Sequence, residues 1–470
     1  MPRFPSALIA FAMVLAAVPA SLPAVQPAAY LVTDLGSFPG SYPYRAIVPA
    51  LSVATAINAS GQTTGYSLTA ANFYHPFLWT ARLGLKDLGH PPGTPTGGAS
   101  ALNDRGQIVG WPDSDYGSGS AFLWSVSTGM TSLGFFPGGS NSAAYGINNA
   151  GHVVGLSDGA GFFFHAFLWT AASGMTDLGT LTGNTASNAE ALGINPAGLV
   201  VGDADTTLPD SAGFVTYHAF LWTPLSGMTD LGTLTGNAAL NSWANAINPS
   251  AHIVGGSDTA LTNPDGSPIN HAFLWTPADG MTDLGALAPA GALDSAAYAI
   301  NASGQVVGTF NTGHADSSGN AIYHAFLWSA STGFHDLNQS LGNSTWQLIQ
   351  ANGINNSGQI VGYGTSTHGL NHAFLLTPLT AAAITTQPTP VSASPGQTIT
   401  LTVAATGTKP LTYAWQRNRV QLHNAGNISG VTTSTLTITR IRPNESGNYR
   451  VLVTNPAGSI TSISVQLTVK

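Results

Sequence analysis

Histidine and aspartate recur in this chain twelve residues apart, and these two residue types together could do chemistry. The pairs are His75/Asp87, His165/Asp177, His218/Asp230, His271/Asp283 and His324/Asp336. A histidine beside a carboxylate can serve as a general base or a metal ligand, or the two can form a hydrogen bond that satisfies buried polar groups. A catalytic or metal site is needed once, so the many copies favour the structural role.

Each pair belongs to a repeat of four short segments in which apolar and polar residues alternate, separated by Gly or Asn. This pattern predicts β-strands, which we name A to D. In the third unit they cover residues 145–148, 152–156, 165–170 and 175–178. The histidine then lies on C and the aspartate on D, on one face of a tight hairpin. In the second unit both residues change together, to Ser120 and Ser132, which supports the pairing.

The turn between strands A and B reads Asn-x-x-Gly in six units. The Asn recurs at positions 58, 103, 148, 195, 248, 301 and 355. Glycine at the end of such a turn favours a positive φ. The fifth unit has Ala251 there, so we expect a slightly strained turn.

The two ends of the repeat region are complementary. The first predicted strand, residues 31–36, is a lone D strand, and the last unit, 353–377, has A, B and C but no D. The recurrent Asn residues are spaced by 45 to 54 residues, a repeat length typical of propeller blades. Pairing of the two ends would leave no open sheet edge. The sequence therefore predicts a seven-bladed β-propeller over residues 30–380, closed by the N-terminal strand, with His372 beside Asp34.

The triplet His-Ala-Phe begins strand C in most units, and Gly-Met-Thr-Asp-Leu-Gly often follows it. The triplet starts at His165, His218, His271, His324 and His372. Over residues 30–380 the chain thus resembles the bacterial extracellular HAF-repeat family, which is named for this triplet. The resemblance implies an exported surface protein and brings no known activity or catalytic residues.

Residues 381–470 follow a different pattern and resemble an immunoglobulin-like β-sandwich. Trp415 fits the core tryptophan of that fold, and Tyr449 fits its tyrosine corner. The chain has no cysteine, so the usual disulfide is absent, and we expect Val403 and Val451 in its place. The absence of cysteine also excludes thiolate metal sites and a cysteine nucleophile.

The predicted export of the chain and its charge distribution limit the functions that it can have. Residues 1–29 predict a signal peptide, and no second hydrophobic segment follows, so we expect a secreted or cell-surface protein with no membrane-spanning segment in the mature chain. Residues 30–380 carry 19 acidic and four basic residues, and Lys and Arg are absent from residue 106 to residue 408. Such a region cannot neutralise phosphates, which excludes nucleic acid as a partner.

Loop lengths place a candidate binding surface on one side of the repeats. The B–C and D–A connections share one side and carry nearly all the length variation, and such loops on a rigid scaffold often bind ligands. Their aromatic residues suit a glycan or a protein partner, or they simply cap the strands. The candidate ligand-binding residues are Tyr116, Tyr217, Trp243, Tyr323 and Trp346.

The same connections carry acidic residues, among them Asp113, Asp203 and Asp205. Oxygen-rich loops can hold Ca²⁺, but none has the spacing of a calcium loop, so we expect no cofactor and keep Ca²⁺ as the alternative. Glu190, His314 and His368 are the titratable residues outside the repeat pattern, and we expect ordinary loop residues there.

These observations favour an all-β, monomeric, non-enzymatic binding or adhesion protein. The propeller would be the interaction platform for a glycan or protein, and the immunoglobulin-like domain a spacer or adhesin. One alternative is an enzyme, a hydrolase or lyase, that acts on extracellular polysaccharide, although no paired carboxylate motif stands out in the sequence. The other alternative is a structural component of a surface coat.

Overall fold

The computed structural model describes residues 30–39, 51–91, 93–113, 119–161, 163–210, 213–236, 239–263, 266–341, 344–366 and 369–470. The predicted signal peptide, Tyr116 and His368 lie outside these ranges. The described chain is all-β, with short 3-10 helices at Gly285–Leu287, Leu337–Ser340 and Pro443–Glu445. In the ranges given, no helix has the length and apolar character needed to cross a membrane.

The described part of the repeat region consists of seven antiparallel sheets of four strands each. The chain begins with β1 (Tyr30–Gly36). Sheet 1 contains β2 (Ser52–Ile57), β3 (Thr63–Leu68), β4 (Tyr74–Thr80) and β5 (Gly84–Asp87). Sheet 2 contains β6 (Gly97–Leu102), β7 (Ile108–Pro112), β8 (Ala121–Ser125) and β9 (Gly129–Gly134). Sheet 3 contains β10 (Ser142–Ile147), β11 (Val153–Asp158), β12 (Phe164–Thr170) and β13 (Gly174–Asp177).

The next three sheets have longer second and third strands. Sheet 4 contains β14 (Ala189–Ile194), β15 (Val200–Pro209), β16 (Val215–Thr223) and β17 (Gly227–Asp230). Sheet 5 contains β18 (Ser242–Ile247), β19 (Ile253–Thr262), β20 (Pro268–Thr276) and β21 (Gly280–Asp283). Sheet 6 contains β22 (Ser295–Ile300), β23 (Val306–Ala315), β24 (Ala321–Ser329) and β25 (Gly333–Asp336). The B–C connections of sheets 4 to 6, where the sequence predicts loops, are therefore extended β-hairpins.

Sheet 7 joins the two ends of the repeat region. It contains β26 (Gln347–Ile354), β27 (Ile360–Thr365), β28 (Asn371–Pro378) and, as its fourth strand, β1. β1 runs antiparallel to β28, with Val32 opposite Leu376 and Asp34 opposite Phe374. The predicted pairing of the first strand with the last unit is confirmed.

A β-bulge interrupts the A–B pairing of every sheet at the same place. In sheet 3, Ala144 pairs with Gly155 and Gly146 with Val154, so Tyr145 is the extra residue. The glycine on strand B is needed here because a Cβ on Gly155 would overlap the carbonyl oxygen of Ala143. The equivalent glycines of the other six sheets meet the same obstruction. The repeated glycine of strand B thus reflects a close backbone approach beside the bulge.

The core of the repeat region lies between neighbouring sheets. The phenylalanine of the His-Ala-Phe triplet is fully buried in every unit, as Phe167 is in sheet 3. Phe77 of sheet 1 packs in one cluster with Ala373 of sheet 7, so sheets 1 and 7 share a core. The strand C tryptophans, which we expected in the core, are buried at Trp79, Trp124 and Trp328. They are half-buried at Trp169, Trp222 and Trp275.

The C-terminal segment folds as a two-sheet sandwich. One sheet runs in the order β30 (Val391–Ala393), β39 (Val465–Val469), β37 (Gly447–Asn455), β33 (Thr412–Arg417) and β34 (Val420–Gln421), with β38 (Gly458–Thr461) beside β37. The other contains β31 (Ile399–Thr402), β36 (Thr435–Ile438) and β35 (Ile428–Ser429). A separate pair joins β29 (Ala383–Thr386) to β32 (Ala404–Thr406).

The core of the sandwich contains the residues that the sequence predicts. Trp415 and Tyr449 are fully buried, and the Tyr449 hydroxyl donates a hydrogen bond to the Glu445 carbonyl oxygen at 2.8 Å. This bond is the predicted tyrosine corner. Val403 and Val451 are buried in the same cluster, where packing takes the place of the absent disulfide.

Candidate functional site

The bulge residue of each sheet points into one cavity of about 740 Å³. A bulge leaves its extra residue outside the ladder and re-aims its side chain. All seven bulge residues line this space, which we call the shared cavity. They are Thr55, Ser100, Tyr145, Leu192, Asn245, Tyr298 and Asn352. A single site therefore receives one side chain from every sheet, at the size typical of ligand pockets.

Some bulge residues also bind the neighbouring sheet. The Thr55 hydroxyl donates to the Ala99 carbonyl oxygen at 2.9 Å, and the Asn245 amide donates to that of Ala297 at 2.8 Å. The Asn352 amide donates to the carbonyl oxygen of Ala54 at 2.9 Å, which connects sheet 7 to sheet 1. These bonds hold the polar side chains in fixed positions at the cavity wall.

One side of the shared cavity is an aromatic wall, formed by Tyr66, Tyr74, Trp111 and Tyr363. The Tyr66 ring meets the Tyr74 ring edge-on at 5.2 Å and the Trp111 ring at 5.9 Å between centroids. Burial raises the pKa of Tyr66 to about 12, with smaller contributions from Tyr74 and Tyr363. The phenols are therefore neutral hydrogen-bonding groups on an aromatic surface across the ordinary pH range.

Sheet 4 places two carboxyl groups opposite each other beside the cavity. Glu190 on β14 and Asp203 on β15 are direct cross-strand partners, so their side chains lie on the same face of sheet 4. Burial, and then the charge of Glu190, raise the pKa of Asp203 well above its ordinary value. Burial likewise raises the pKa of Glu190. The charges of this carboxyl pair also contribute to the raised pKa of Tyr145, which lines the cavity.

The opposite ends of the A strands are joined by the repeated asparagines. The Asn195 carboxamide oxygen accepts the backbone N–H groups of Ala197 and Leu199, which confirms its role in the turn. Its amide then donates to the Asn248 carbonyl oxygen of the next unit, at 3.2 Å. The same inter-unit bond recurs from each Asn to the next, and Asn355 donates to Asn58 at 3.0 Å.

A second cavity of about 440 Å³ lies between sheets 5 and 6 and contains two of the predicted ligand-binding residues, Trp243 and Tyr323. Tyr298 lines both this cavity and the shared cavity, so the two spaces adjoin. Trp243 lies across Gly256, where a larger residue would overlap the indole. An aromatic surface thus continues outward from the shared cavity.

The other predicted residues are more scattered, and several lie on strands where we expected loops. Tyr217 and Tyr323 belong to β16 and β24, because the hairpins of sheets 4 and 6 are extended, and Trp243 belongs to β18, the A strand of sheet 5. Trp346 packs edge-on against Phe374 at 6.3 Å between centroids and is half-buried. Glu190, Asp203 and Asp205, which we also expected in loops, lie on β14 and β15, the A and B strands of sheet 4.

The histidine–aspartate pairs tie strand C to strand D. In each pair Nδ1 of the histidine lies within hydrogen-bond distance of its aspartate, as at 2.8 Å from His165 to Asp177. His372 pairs with Asp34 of β1 at 3.1 Å, and in sheet 2 the Ser120 and Ser132 hydroxyls bond to each other. The predicted partnership is confirmed. Within the described ranges, no group of three or more His, Asp or Glu side chains could hold a metal ion.

Sequence reasoning missed the shared cavity, although the repeat carries a signal for it. The residue three positions before the recurrent Asn differs in most units, while the strand around it keeps small and apolar residues. A variable position inside a repeated strand marks a side chain that the scaffold does not need. The register of the bulge, which aims these seven residues inward, is visible only in the structure.

Two family models match parts of the chain. An immunoglobulin I-set domain matches residues 382–469, where the two-sheet sandwich and the tyrosine corner lie. The C-terminal segment is an immunoglobulin-like domain. The family described as Protein of unknown function (DUF3466) matches residues 174–406, from β13 into the immunoglobulin-like domain. The resemblance of residues 30–380 to the HAF-repeat family stays a prediction.

No curated protein matches the chain. Among solved structures, the chain is similar to titin M4 at 28% identity, over 20% of this chain and 100% of that one, with a TM-score of 0.19. A chimeric titin Z1Z2 matches at 27% identity, over 20% of this chain and 96% of that one, with a TM-score of 0.18. Titin domain M7 matches at 26% identity, over 20% and 96%, also with a TM-score of 0.18.

Proposed function

We propose that residues 30–380 form a closed seven-bladed β-propeller and that the chain is a secreted or cell-surface, non-enzymatic glycan-binding protein. Three contacts between the ends of the repeat region support closure. β1 pairs with β28, Asn355 donates to Asn58, and Asn352 donates to Ala54. An open superhelix would leave sheets 1 and 7 apart.

The observation that carries the binding proposal is the convergence of seven bulge residues on the shared cavity. Stacking against tyrosine and tryptophan rings, with amide and hydroxyl groups around them, suits the apolar faces and hydroxyl groups of a sugar. The adjoining cavity at Trp243 and Tyr323 leaves room for further residues of a polymer. The immunoglobulin-like domain, which carries seven of the chain's basic residues against one acidic residue, serves as spacer or adhesin.

A glycan array probed with the mature chain tests this function. Trp111→Ala removes part of the aromatic wall and is expected to lower affinity by up to about tenfold, since stacking on an indole contributes on the order of 0.5–1.5 kcal/mol. The control is Phe214→Ala, because Phe214 is exposed and is not among the cavity residues. An array with no signal, or equal affinity for both variants, would remove the proposal. Capture of a defined protein partner instead would replace the glycan by a protein ligand.

One observation, the carboxyl pair of sheet 4, favours the enzyme alternative. Glycoside hydrolases use two carboxyl groups separated by about 5–5.5 Å or by about 6.5–9.5 Å. Glu190 and Asp203 are direct cross-strand partners on β14 and β15, so this pair is where such an arrangement would be tested first. A screen on purified polysaccharides distinguishes binding from catalysis. Release of a product by the native chain, abolished in Glu190→Gln, would establish catalysis.

A further inference from the structure

Among the described residues, no Lys or Arg lines the shared cavity. Lys and Arg are absent from residue 106 to residue 408, which covers sheets 3 to 7. Sheets 1 and 2 carry Arg82, Lys86 and Arg105 in the described chain. Arg82 and Arg105 lie in C–D and A–B turns, at the strand ends opposite the cavity. Lys86 lies over the Trp124 ring at 5.5 Å.

The carboxyl pair of sheet 4 brings two acidic groups together on directly opposite strand positions. Two carboxyl groups held side by side repel each other when both are ionised, so one shared proton stabilises the pair. Glu190 and Asp203 are held opposite each other by the strand register, so neither can move away from its neighbour. The titratable groups that face them are Asp205, Tyr145 and Tyr217, and none of these supplies a positive charge. A cation that bound beside the carboxyl pair would stabilise both carboxylates, so the shared proton would be released.

The aromatic wall is also suited to a cation. Tyrosine and tryptophan rings carry negative charge on their faces and attract ammonium groups, more strongly where water is excluded. Tyr66, Tyr74 and Trp111 form a continuous edge-to-face group on sheets 1 and 2, and Asp113 lines the cavity beside them. The shared cavity thus combines stacking surfaces for sugar rings with two acidic positions.

We propose that the shared cavity selects glycans that carry protonated amino groups, such as β-1,4-linked glucosamine, and that the sheet 4 carboxyl pair releases its shared proton when the amine binds. The inference rests on the proposed glycan-binding function and assigns its ligand class. No covalent bond changes. The ligand ammonium enters with its charge, the proton between Glu190 and Asp203 leaves to solvent, and two carboxylates remain beside the cation.

The test compares four hexasaccharides by isothermal titration calorimetry on the mature chain. Three share one β-1,4 backbone and differ at C2, which carries an ammonium in glucosamine, an acetamide in N-acetylglucosamine and a hydroxyl in glucose. The fourth is an acidic galacturonic acid hexamer. We expect the glucosamine hexamer to bind at least tenfold more tightly than the N-acetylated form and the acidic hexamer not to bind. Titration at pH 6 in two buffers of different ionisation enthalpy is expected to show net proton release.

Variants assign the selectivity to the pair. Glu190→Gln is expected to lower affinity for the glucosamine hexamer about tenfold, to leave that for the N-acetylated hexamer unchanged, and to abolish proton release. Asp316→Asn is the control, because Asp316 is an exposed acidic residue in the turn after β23. Equal or tighter binding of a neutral or acidic hexamer overturns this inference and leaves the glycan-binding function standing. Binding of none of the four, together with an array without signal, removes both.

Discussion

The repeat region and the immunoglobulin-like domain reach a stable β structure in different ways. The immunoglobulin-like domain has one core, in which Trp415 and Tyr449 pack with the residues of both sheets. The repeat region distributes its core over small clusters between sheets. The repeated Asn bonds connect neighbouring units, and the His–Asp bonds tie strand C to strand D within a unit. The comparison indicates that repeated polar ties allow seven side chains of different type to line one cavity, while the immunoglobulin-like domain is stabilised by a single core.

The same comparison applies to charge. Residues 30–380 carry a net charge of −15 and the segment from residue 381 a net charge of +6. In the described chain the two regions have separate core clusters, and at their boundary Thr380 bonds with Thr408 and Asn455. We therefore expect the two regions to unfold separately, so each can be perturbed without the other.

The largest expected effect is the loss of a core aromatic residue in either region. Trp415→Ala removes a fully buried indole and its 3.0 Å hydrogen bond to Thr433, and is expected to cost about 3–5 kcal/mol. By calorimetry, only the transition of the immunoglobulin-like domain should move. Phe220→Ala in sheet 4 should cost a similar amount in the other transition. A single transition shifted by both variants would contradict the separation.

A loss of roughly 2–4 kcal/mol is expected for Asn195→Ala. The side chain is 1% exposed, and its removal leaves two backbone N–H groups and the Asn248 carbonyl without their partner. Asn195→Asp is the matched variant, because it retains the accepting oxygen and loses the donated bond to the next unit. Denaturant unfolding should show that both variants destabilise the repeat region. If both variants have the same free energy of unfolding as the native chain, the asparagine bonds do not stabilise the contacts between units.

A smaller, pH-dependent effect is expected at the His271–Asp283 pair. Burial opposes ionisation of Asp283, but hydrogen bonds from His271 and from the Ala286 backbone outweigh it and lower the pKa. A lowered folded-state pKa contributes stability that is present above the ordinary carboxyl pKa of about 4 and is lost as pH falls. Asp283→Asn should therefore cost about 0.5–1 kcal/mol at pH 7, allowing for partial exposure, and nothing near pH 2. A difference that persists at low pH would exclude the ionic contribution.

The smallest effect concerns the turn of the fifth unit. Ala251 adopts a φ of 59°, where the other six turns have glycine. Ala251→Gly should stabilise the repeat region by about 0.5–1 kcal/mol, since a residue with a Cβ is strained in this conformation. The reverse change, Gly198→Ala in sheet 4, should cost a similar amount. Thermal unfolding of both variants measures the difference, and the same sign for both would refute the strain.

Much of the scaffold is predictable from the sequence because the repeat period and the turn residues depend on neighbouring positions in the chain. The strands, the positive φ at Ala251, the His–Asp pairs and the tyrosine corner are all confirmed by the structure. The binding surface is less predictable. Glu190 and Asp203 stand 13 positions apart in the sequence and look like separate loop residues. Only the register of β14 against β15 makes them partners, and only the bulges bring seven side chains to one cavity.

Closure of the repeat region is the claim on which the shared cavity depends, and a disulfide tests it directly. Leu31 of β1 lies opposite Thr377 of β28, and the natural chain has no cysteine to interfere. The variant Leu31→Cys with Thr377→Cys should form an intramolecular disulfide on mild oxidation, seen as a shift on non-reducing gels. The control is Leu31→Cys with Thr223→Cys, the equivalent position in sheet 4, which should stay reduced. Failure of the first pair to cross-link, or equal cross-linking of both, would contradict the closed propeller.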